Sequence, residues 1–315
     1  MFSSTRVIHP GGFIEYRTET LTGFRTRICP ERLKRGIGNS CVPEYSSDGC
    51  PFCPGLVESV TPVFSDGTRI RVGESITFPN LYPFAAYHIV TVITGAHSTV
   101  QFTPSQVADA LSGQLIALKN QDGYISINWN YLPSAGASIP HPHLQGLVDN
   151  TPDTLPAQYI NSSSRYYKQY GTPYFSIVKL HEEQSKRSLA GTRLFWYAHP
   201  VPCGEREIRC ILPITTVSEF SEYIDDFCAD LVEILGLYRD LGTSAFNMSI
   251  FFGTEKESDY FTAFCSIIAR INPNPLSTSD TAFMERLHLE PVILTLPEDL
   301  ADIWGDYLKA KLKTT

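Results

Sequence analysis

The order of secondary-structure elements predicted from the sequence occurs twice along the chain. In the first half, two strands within residues 74–93 precede a helix capped by Thr103-Pro104, and two more strands follow it. The second half repeats this order in residues 194–198, 207–212, 218–241, 246–252 and 264–271. Such a repeat indicates an internal duplication of one supersecondary unit. It predicts an α+β fold in which each half is a sheet with a packed helix.

A polar, tyrosine-rich segment separates the two halves. Residues 151–192 include Asn161-Ser-Ser-Ser164 and are predicted to form helical pieces of a connector. We therefore expect an N-terminal half over 1–155, a connector over 156–192 and a C-terminal half over 193–315. The 315 residues, 43% of them hydrophobic, supply ample material for a core shared by two halves.

The charge of the chain limits its partners. A net charge of −8 and an isoelectric point near 5.5 argue against nucleic acid or an anionic membrane as a partner. The sequence has no run of about 18 apolar residues that could span a membrane and no apolar signal core at its start. Eight scattered cysteines in such a chain favour metal binding or reduced thiols over a disulfide framework. We therefore expect a cytoplasmic protein.

The two most closely spaced cysteines form a candidate metal site. Cys50-Pro-Phe-Cys53 has the spacing with which two thiolates bind one tetrahedral zinc ion, and such a site needs two more ligands. His97, just past a predicted strand, is a candidate for the third ligand. A redox pair is the alternative, although no βαβ pattern surrounds these cysteines.

The segment Ser138–Gln145 contains the strongest candidates for catalytic side chains. Its two prolines exclude a helix and favour an extended strand end, in which side chains alternate between faces. His141, His143 and Gln145 then share one face. An imidazole can ligate a metal, shuttle a proton or act as a nucleophile, and an amide can donate to an anionic oxygen. A surface loop with two solvated histidines is the simpler alternative.

Two further segments carry candidate binding residues. Arg32, Lys34 and Arg35 are a basic cluster in an acidic chain, and a guanidinium suits a phosphate group. Asn80 lies in a loop beside aromatic residues, where an amide can recognise a planar base. A solvated charged turn and a simple turn asparagine are the respective alternatives.

Together, the cysteine pair and the histidines define one arrangement. Cys50, Cys53, His97 and His141 make a Cys₂His₂ zinc set, which leaves His143 free on the same strand face. A ligand two residues away would fix the position of His143.

With these motifs the chain resembles the galactose-1-phosphate uridylyltransferase family, a branch of the histidine-triad superfamily. The likeness extends along nearly the whole chain. The matching positions are Leu21-Thr-Gly23, Cys29-Pro-Glu-Arg32-Leu-Lys-Arg35, Cys50-x-x-Cys53, Asn80 with Pro83, His88 with His97, Asn130, Gly136, Ser138 and His141-Pro-His143-x-Gln145. A weaker match continues at Ile211-Leu-Pro213, Phe246-Asn247 and Pro297-Glu298.

The resemblance implies a ping-pong nucleotidyl transfer. In such a reaction His143 attacks the α-phosphorus of a nucleoside diphosphate sugar, and a phosphorylated acceptor, a sugar 1-phosphate, then takes the nucleotide, expected to be UMP. Gln145 would stabilise the charge on phosphate. The implied substrate-binding residues are Arg32, Arg35, Asn80, Asn130, Ser138 and Glu285. The resemblance also implies one half-barrel-like sheet made of two histidine-triad-like halves, a structural zinc ion, a homodimer and a role in galactose metabolism.

Several positions depart from the pattern of that family. Its second metal site uses a glutamate and a His-x-His pair, but Tyr159 falls near the first and Cys265–Arg270 replaces the second. We therefore expect a single metal ion. A glutamine expected after Glu285 is also absent, and Pro291-Val292 occupies that neighbourhood. The nucleotide part of the site is thus kept, whereas the sugar part has diverged.

Three alternatives remain open on the sequence. The first is a phosphorylase of ADP-sugars or dinucleoside polyphosphates, which would use inorganic phosphate as acceptor. The second is a non-catalytic, zinc-stabilised nucleotide-binding protein. The third, a zinc hydrolase that uses His141 and His143 together, requires that the metal is not closed by Cys50, Cys53 and His97.

Overall fold

A computed structural model describes residues 1–35, 45–271 and 279–313 of the chain. Within these residues, none of the helices combines the length and the apolar character that crossing a membrane requires. The strands are β1 (Phe2–His9), β2 (Gly12–Glu19), β3 (Arg25–Ile28), β4 (Ile70–Val72), β5 (Ser75–Pro79), β6 (Tyr87–Val92), β7 (Tyr124–Tyr131), β8 (His143–Asp149), β9 (Phe195–Ala198), β10 (Ile208–Ile211), β11 (Phe246–Phe251), β12 (Phe264–Ala269) and β13 (Val292–Ile293). The α-helices are α1 (Val57–Val60), α2 (Pro104–Leu118), α3 (Thr154–Tyr170), α4 (Tyr174–Glu183), α5 (Ile224–Asp240) and α6 (Pro297–Leu312).

Nine strands form one open antiparallel sheet in the order β4-β5-β6-β8-β7-β11-β12-β10-β9. The first half contributes β4 to β8 and the second half β9 to β12. The central pair β7 and β11 joins the halves, with Asn130 opposite Asn247. The order β5-β6-α2-β7-β8 recurs as β9-β10-α5-β11-β12. The predicted α+β fold with two equivalent half-units in one large sheet is thereby confirmed.

Helices α2 and α5 cover one face of this sheet and enclose the main core. Helix α2 begins as predicted, because the Thr103 hydroxyl accepts from the Gln106 N–H and the Gln106 amide oxygen accepts from the Thr103 N–H. The residues of its predicted apolar stripe, Val107, Leu111, Leu115 and Leu118, are all buried. Gly146 of β8 lies directly under this helix, and a Cβ there would collide with the Gln114 side chain. Close packing against α2 therefore holds β8 in place.

The opposite face of the sheet has different covers in its two halves. In the first half, the segment that carries the two cysteines packs Phe52 and Val57 against β5 and β6. In the second half, helices α3 and α4 of the predicted connector pack Tyr159 and Phe175 against β12. The outcome is a strip of polar side chains that stays partly exposed at Asn128, Asn130 and Gln145 in the first half and is covered in the second.

A second, four-stranded sheet has the order β1-β2-β3-β13. Strands β1 and β2, of eight residues each, form a regular hairpin that was not predicted from the sequence. Strand β13 pairs in parallel with β3, so residues far apart in sequence share this sheet. Glu298 of α6 connects this sheet to the segment between α4 and β9, because its carboxylate binds both Arg17 of β2 (2.9 Å) and Arg187 (2.7 Å).

Candidate active site and metal centre

The catalytic candidates lie at the start of strand β8. This strand begins at His143, which is paired with Val92 of β6. His143 and Gln145 face the open side of the sheet, as the alternation in a strand predicts. The His143 ring is 6% exposed, and the Phe52 ring packs edge-on against it at 5.1 Å between centroids.

The structure brings together the four predicted metal ligands. One ligand atom from each of Cys50, Cys53, His97 and His141 lies within 4.8 Å of the others. The Cys53 sulfur is 3.4 Å from His97 Nδ1 and 3.6 Å from His141 Nδ1, and the Cys50 sulfur is 3.8 Å from His141 Nδ1. A tetrahedral ion with thiolate and imidazole ligands places these atoms about 3.6 Å apart. The four residues therefore fit one metal ion.

The surroundings of the cluster support metal binding. The His141 Nε2–H group donates to the Thr94 carbonyl oxygen at 2.7 Å, which leaves Nδ1 as the ligand atom. Burial, reinforced by the neighbouring Cys50, raises the pKa of the Cys53 thiol. Two adjacent thiolates therefore need a compensating positive charge, which a bound cation supplies.

The hydrogen bonds of His143 leave one ring nitrogen free. Nδ1 lies 2.8 Å from the His141 carbonyl oxygen, to which it donates its proton, so Nε2 carries the lone pair. No described residue forms a hydrogen bond with Nε2. Burial lowers the pKa of His143, partly opposed by the hydrogen bond to His141. The arrangement therefore presents a neutral, oriented imidazole that is not part of the metal cluster.

Gln145 is held by a residue to which the sequence analysis gave no role. Its Oε1 atom lies 3.0 Å from Nε2 of His88, a buried residue of β6. The same His88 atom lies 3.0 Å from Nδ2 of Asn80, the predicted base-binding residue. The spacing of His88 and His97 in the sequence was the available signal, but the pairing of β6 with β8 is needed to see the contact.

Asn130 is oriented by residues of the second half. Arg270 Nη1 donates to Asn247 Oδ1 (2.7 Å), and Asn247 Nδ2 in turn donates to Asn130 Oδ1 (2.6 Å). This chain fixes the Asn130 oxygen and leaves its amide nitrogen without a hydrogen-bond partner among the described residues. Ser138 is exposed in the loop that leads into β8.

The other predicted binding residues lie elsewhere, and within the described part of the chain neither Arg32 nor Glu285 has an observed contact with His143, Gln145 or Asn130. Arg32 is exposed on a 3-10 helix, Pro30–Arg35, and the Arg35 side chain lies outside the described part of the chain. The Glu285 carboxylate accepts from the backbone N–H groups of Ala282 (2.8 Å) and Val292 (3.1 Å). These bonds hold Glu285 beside the small sheet.

Tyr159 falls near the position of the glutamate in the family's second metal site, which this sequence lacks. It belongs to a buried ionic network. Its hydroxyl donates to Glu19 (3.0 Å) and accepts from Arg209, which also pairs with Glu207. Burial would raise the pKa of Glu207, but Arg209, His199 and two hydrogen bonds outweigh it and lower the pKa to about 2. The network is therefore charged and internally paired.

Comparison with known proteins identifies the class of fold. No family model matches the chain. An uncharacterized protein of Archaeoglobus fulgidus is 26% identical over 308 residues, which cover 93% of each chain. The structure of an ADP-glucose phosphorylase from Arabidopsis thaliana with bound ADP-glucose superposes with a TM-score of 0.72 at 19% identity, over 92% of this chain and 98% of that one. A uridylyltransferase mutant gives a TM-score of 0.70 at 16% identity, over 94% and 98%.

This chain and these solved structures share one fold over most of their lengths. The chain has the particular fold of the galactose-1-phosphate uridylyltransferase-like proteins, as its motifs predict. The resemblance stated from the sequence is thus confirmed at the level of the fold.

Proposed function

We propose that this chain is a nucleotidyltransferase that moves a nucleoside monophosphate from a nucleoside diphosphate sugar through a covalent bond to His143. The observation that carries the proposal is the free Nε2 lone pair of His143, fixed by the bond from Nδ1 to the His141 carbonyl. A neutral imidazole is nucleophilic near pH 7 and forms a reactive phosphoramidate.

In the first step, Nε2 of His143 attacks the α-phosphorus. A nitrogen–phosphorus bond forms while the bond from that phosphorus to the bridging oxygen breaks, and the sugar 1-phosphate leaves with the electron pair. The His143 ring gains positive charge, which the His141 carbonyl oxygen stabilises through the Nδ1 proton. The amide nitrogens of Gln145 and Asn130 are suited to donate to the phosphoryl oxygens.

In the second step, a phosphate oxygen of the acceptor attacks the same phosphorus and the nitrogen–phosphorus bond breaks. His143 returns to its neutral state. With a sugar 1-phosphate as acceptor the product is a new nucleoside diphosphate sugar. We propose UMP as the transferred group, in line with the resemblance of the motifs.

A phosphorylase acting on an ADP-sugar is the second candidate. In that reaction inorganic phosphate is the acceptor and a nucleoside diphosphate is released. It requires less of the sugar part of the site, because its acceptor carries no sugar, and the Glu285 carboxylate there already accepts two backbone N–H groups. Pro291, at the place of an expected glutamine, offers no side-chain donor.

We further propose that the metal is zinc and that its role is structural. Cys50, Cys53, His97 and His141 together supply four ligands, which fill a tetrahedral site. When bound, the ion fixes the His141 backbone and thereby the carbonyl oxygen that orients His143.

Intact-protein mass spectrometry tests the reaction directly. The protein is mixed with UDP-glucose, UDP-galactose or ADP-glucose, and we expect a mass increase of one nucleoside monophosphate. The adduct should disappear in His143→Asn and persist in His181→Asn, a control histidine on α4 whose side chain is 55% exposed. Addition of inorganic phosphate or a sugar 1-phosphate to the adduct then identifies the acceptor. An adduct that persists in His143→Asn would refute the proposal.

A further inference from the structure

His88 connects two parts of the candidate site that are far apart in sequence. It is 4% exposed and lies on β6, beside β8. Its ring approaches Gln145 on one side and the loop after β5 on the other, where Phe84 packs edge-on at 4.4 Å between centroids. The Asn80 N–H group also donates to the His88 carbonyl oxygen (2.8 Å).

The direction of these hydrogen bonds follows from one backbone group. The Phe84 N–H can only donate, and it points to His88 Nδ1 at 3.4 Å. Nδ1 is therefore the acceptor, and the proton of the neutral ring is on Nε2. In this tautomer the Asn80 Nδ2 atom, 3.0 Å from Nε2, cannot donate to it, and the Asn80 amide is held instead by the Tyr82 N–H, which donates to Asn80 Oδ1 at 2.8 Å. Burial lowers the pKa of His88, which agrees with a neutral ring. Nε2–H then donates to Gln145 Oε1 at 3.0 Å.

This bond determines which end of the Gln145 amide faces the phosphate. With its oxygen held by His88, Gln145 presents its NH₂ group to the open side of the sheet. No described residue forms a hydrogen bond with that nitrogen. An anionic phosphoryl oxygen requires donors, so the opposite orientation of the amide would repel it.

We propose that His88 is a positioning residue that orients the Gln145 amide and couples it to the base-binding loop at Asn80 and Phe84. The inference rests on the proposed function, since it assigns Gln145 to the phosphate that His143 attacks. His88 itself does not touch the reacting atoms. A base bound in this loop therefore affects the position of the His88 ring. Through that ring it affects the Gln145 NH₂ group, which donates to the phosphate.

Two substitutions of His88 separate positioning from packing. In His88→Gln the side-chain amide can reach the position of Nε2 and donate to Gln145, whereas His88→Leu retains bulk but has no donor. We expect His88→Leu to slow formation of the His143 adduct about 10- to 100-fold at saturating nucleotide sugar. His88→Gln should recover most of the rate. Equal losses in both variants would overturn the inference.

A double-variant cycle shows whether His88 acts through Gln145. Since removal of the amide leaves His88 nothing to orient, Gln145→Ala/His88→Leu should be about as slow as Gln145→Ala alone. Rates that multiply would show an independent effect and contradict the inference. Melting temperatures of all variants are measured alongside, because a folding defect would lower them.

An NMR measurement that requires no turnover separates the positioning role of His88 from the proposed transferase activity. The side-chain NH₂ signals of Gln145 in a ¹H–¹⁵N NMR spectrum should shift in His88→Leu and return towards the original position in His88→Gln. An unshifted signal would refute the positioning role. If the unmodified protein forms no adduct with UDP-glucose, UDP-galactose or ADP-glucose, the proposed function fails, whereas the NMR shift still decides whether His88 holds Gln145.

Discussion

The two halves of the large sheet carry polar side chains at equivalent places, but these side chains are neutral in one half and mostly charged in the other. By strand register, Gln145 of β8 corresponds to Ser266 of β12, and His88 at the start of β6 corresponds to Glu207 just before β10. In the first half these groups are neutral and retain unused donors. In the second half they are part of a charged network under helices α3 and α4.

The second-half network satisfies itself. The Ser266 hydroxyl donates to Glu207 (2.7 Å), which also pairs with Arg209, and the Cys203 N–H donates to the same carboxylate (2.6 Å). A buried charge without a partner is costly, so each member of the network requires the others. The comparison indicates that polar groups at equivalent places keep unused donors in one copy of a duplicated unit, whereas in the other copy they pair with one another.

Metal removal should have the largest effect and should be confined to the first half. Chelation, or Cys53→Ser, leaves the cover of β5 and β6 without its anchor, so we expect the free energy of unfolding to fall on the order of 5 kcal/mol. Hydrogen exchange should quicken in β6 and β8 and change little in β10 and β12. A metal-free protein with unchanged melting and exchange would remove this distinction between the halves.

Loss of Arg209 should show that the second-half network is structural. Arg209→Met leaves the buried Glu207 without its guanidinium partner, and we expect a loss of about 3–5 kcal/mol in denaturant unfolding. The double variant Glu207→Leu/Arg209→Met removes both charges and should recover part of this loss. A double variant as unstable as the single one would contradict the ionic explanation.

The equivalent pair Gln145 and Ser266 gives a matched test of function. Gln145→Ala should slow adduct formation about 10²- to 10³-fold because a donor to the phosphoryl oxygen is lost. Ser266→Ala should leave that rate unchanged and cost about 1 kcal/mol of stability. The two variants are compared by quenched-flow mass spectrometry and by urea unfolding. Equal effects on the rate would mean that both halves contribute to the reaction.

The dependence of stability on pH should distinguish the halves with a smaller effect. The pKa of Glu207 is lowered from 4.5 to about 2, so its ionised form stabilises the fold fully above pH 4.5. This contribution is lost as the pH falls through about 2. The difference in unfolding free energy between the unmodified protein and Glu207→Gln should therefore be constant near pH 7 and shrink below pH 4.5. A difference that does not vary down to pH 2 would contradict the lowered pKa.

Local signals made much of the first half predictable. Helix α2 follows from Thr103, Pro104 and Gln106, whose capping preferences act within one turn. The four candidate metal ligands follow from spacing and residue chemistry, and the structure brings the same four together. The assignment of catalytic and substrate-binding residues stays a prediction, as do the domain boundaries.

Long-range features were not predictable in the same way. Strand β1 is exposed over most of its length and has no alternation of apolar residues, so only its pairing with β2 defines it. In the sequence, Glu207 and Arg209 resemble ordinary surface charges. Only the packing of α3, which brings Tyr159 over them, shows that they are buried. His88 is 57 residues from Gln145 in sequence, and only strand register reveals their contact.

The parallel pairing of β13 with β3 has a consequence for the order of folding. More than 260 residues separate Arg27 from its partner Val292, so the backbone groups of β3 on that side are satisfied only after synthesis has passed residue 293. The nine-stranded sheet faces no such delay, since its half-units are built from neighbouring segments. The small sheet should therefore acquire its protection from solvent later than the nine-stranded sheet during biosynthesis.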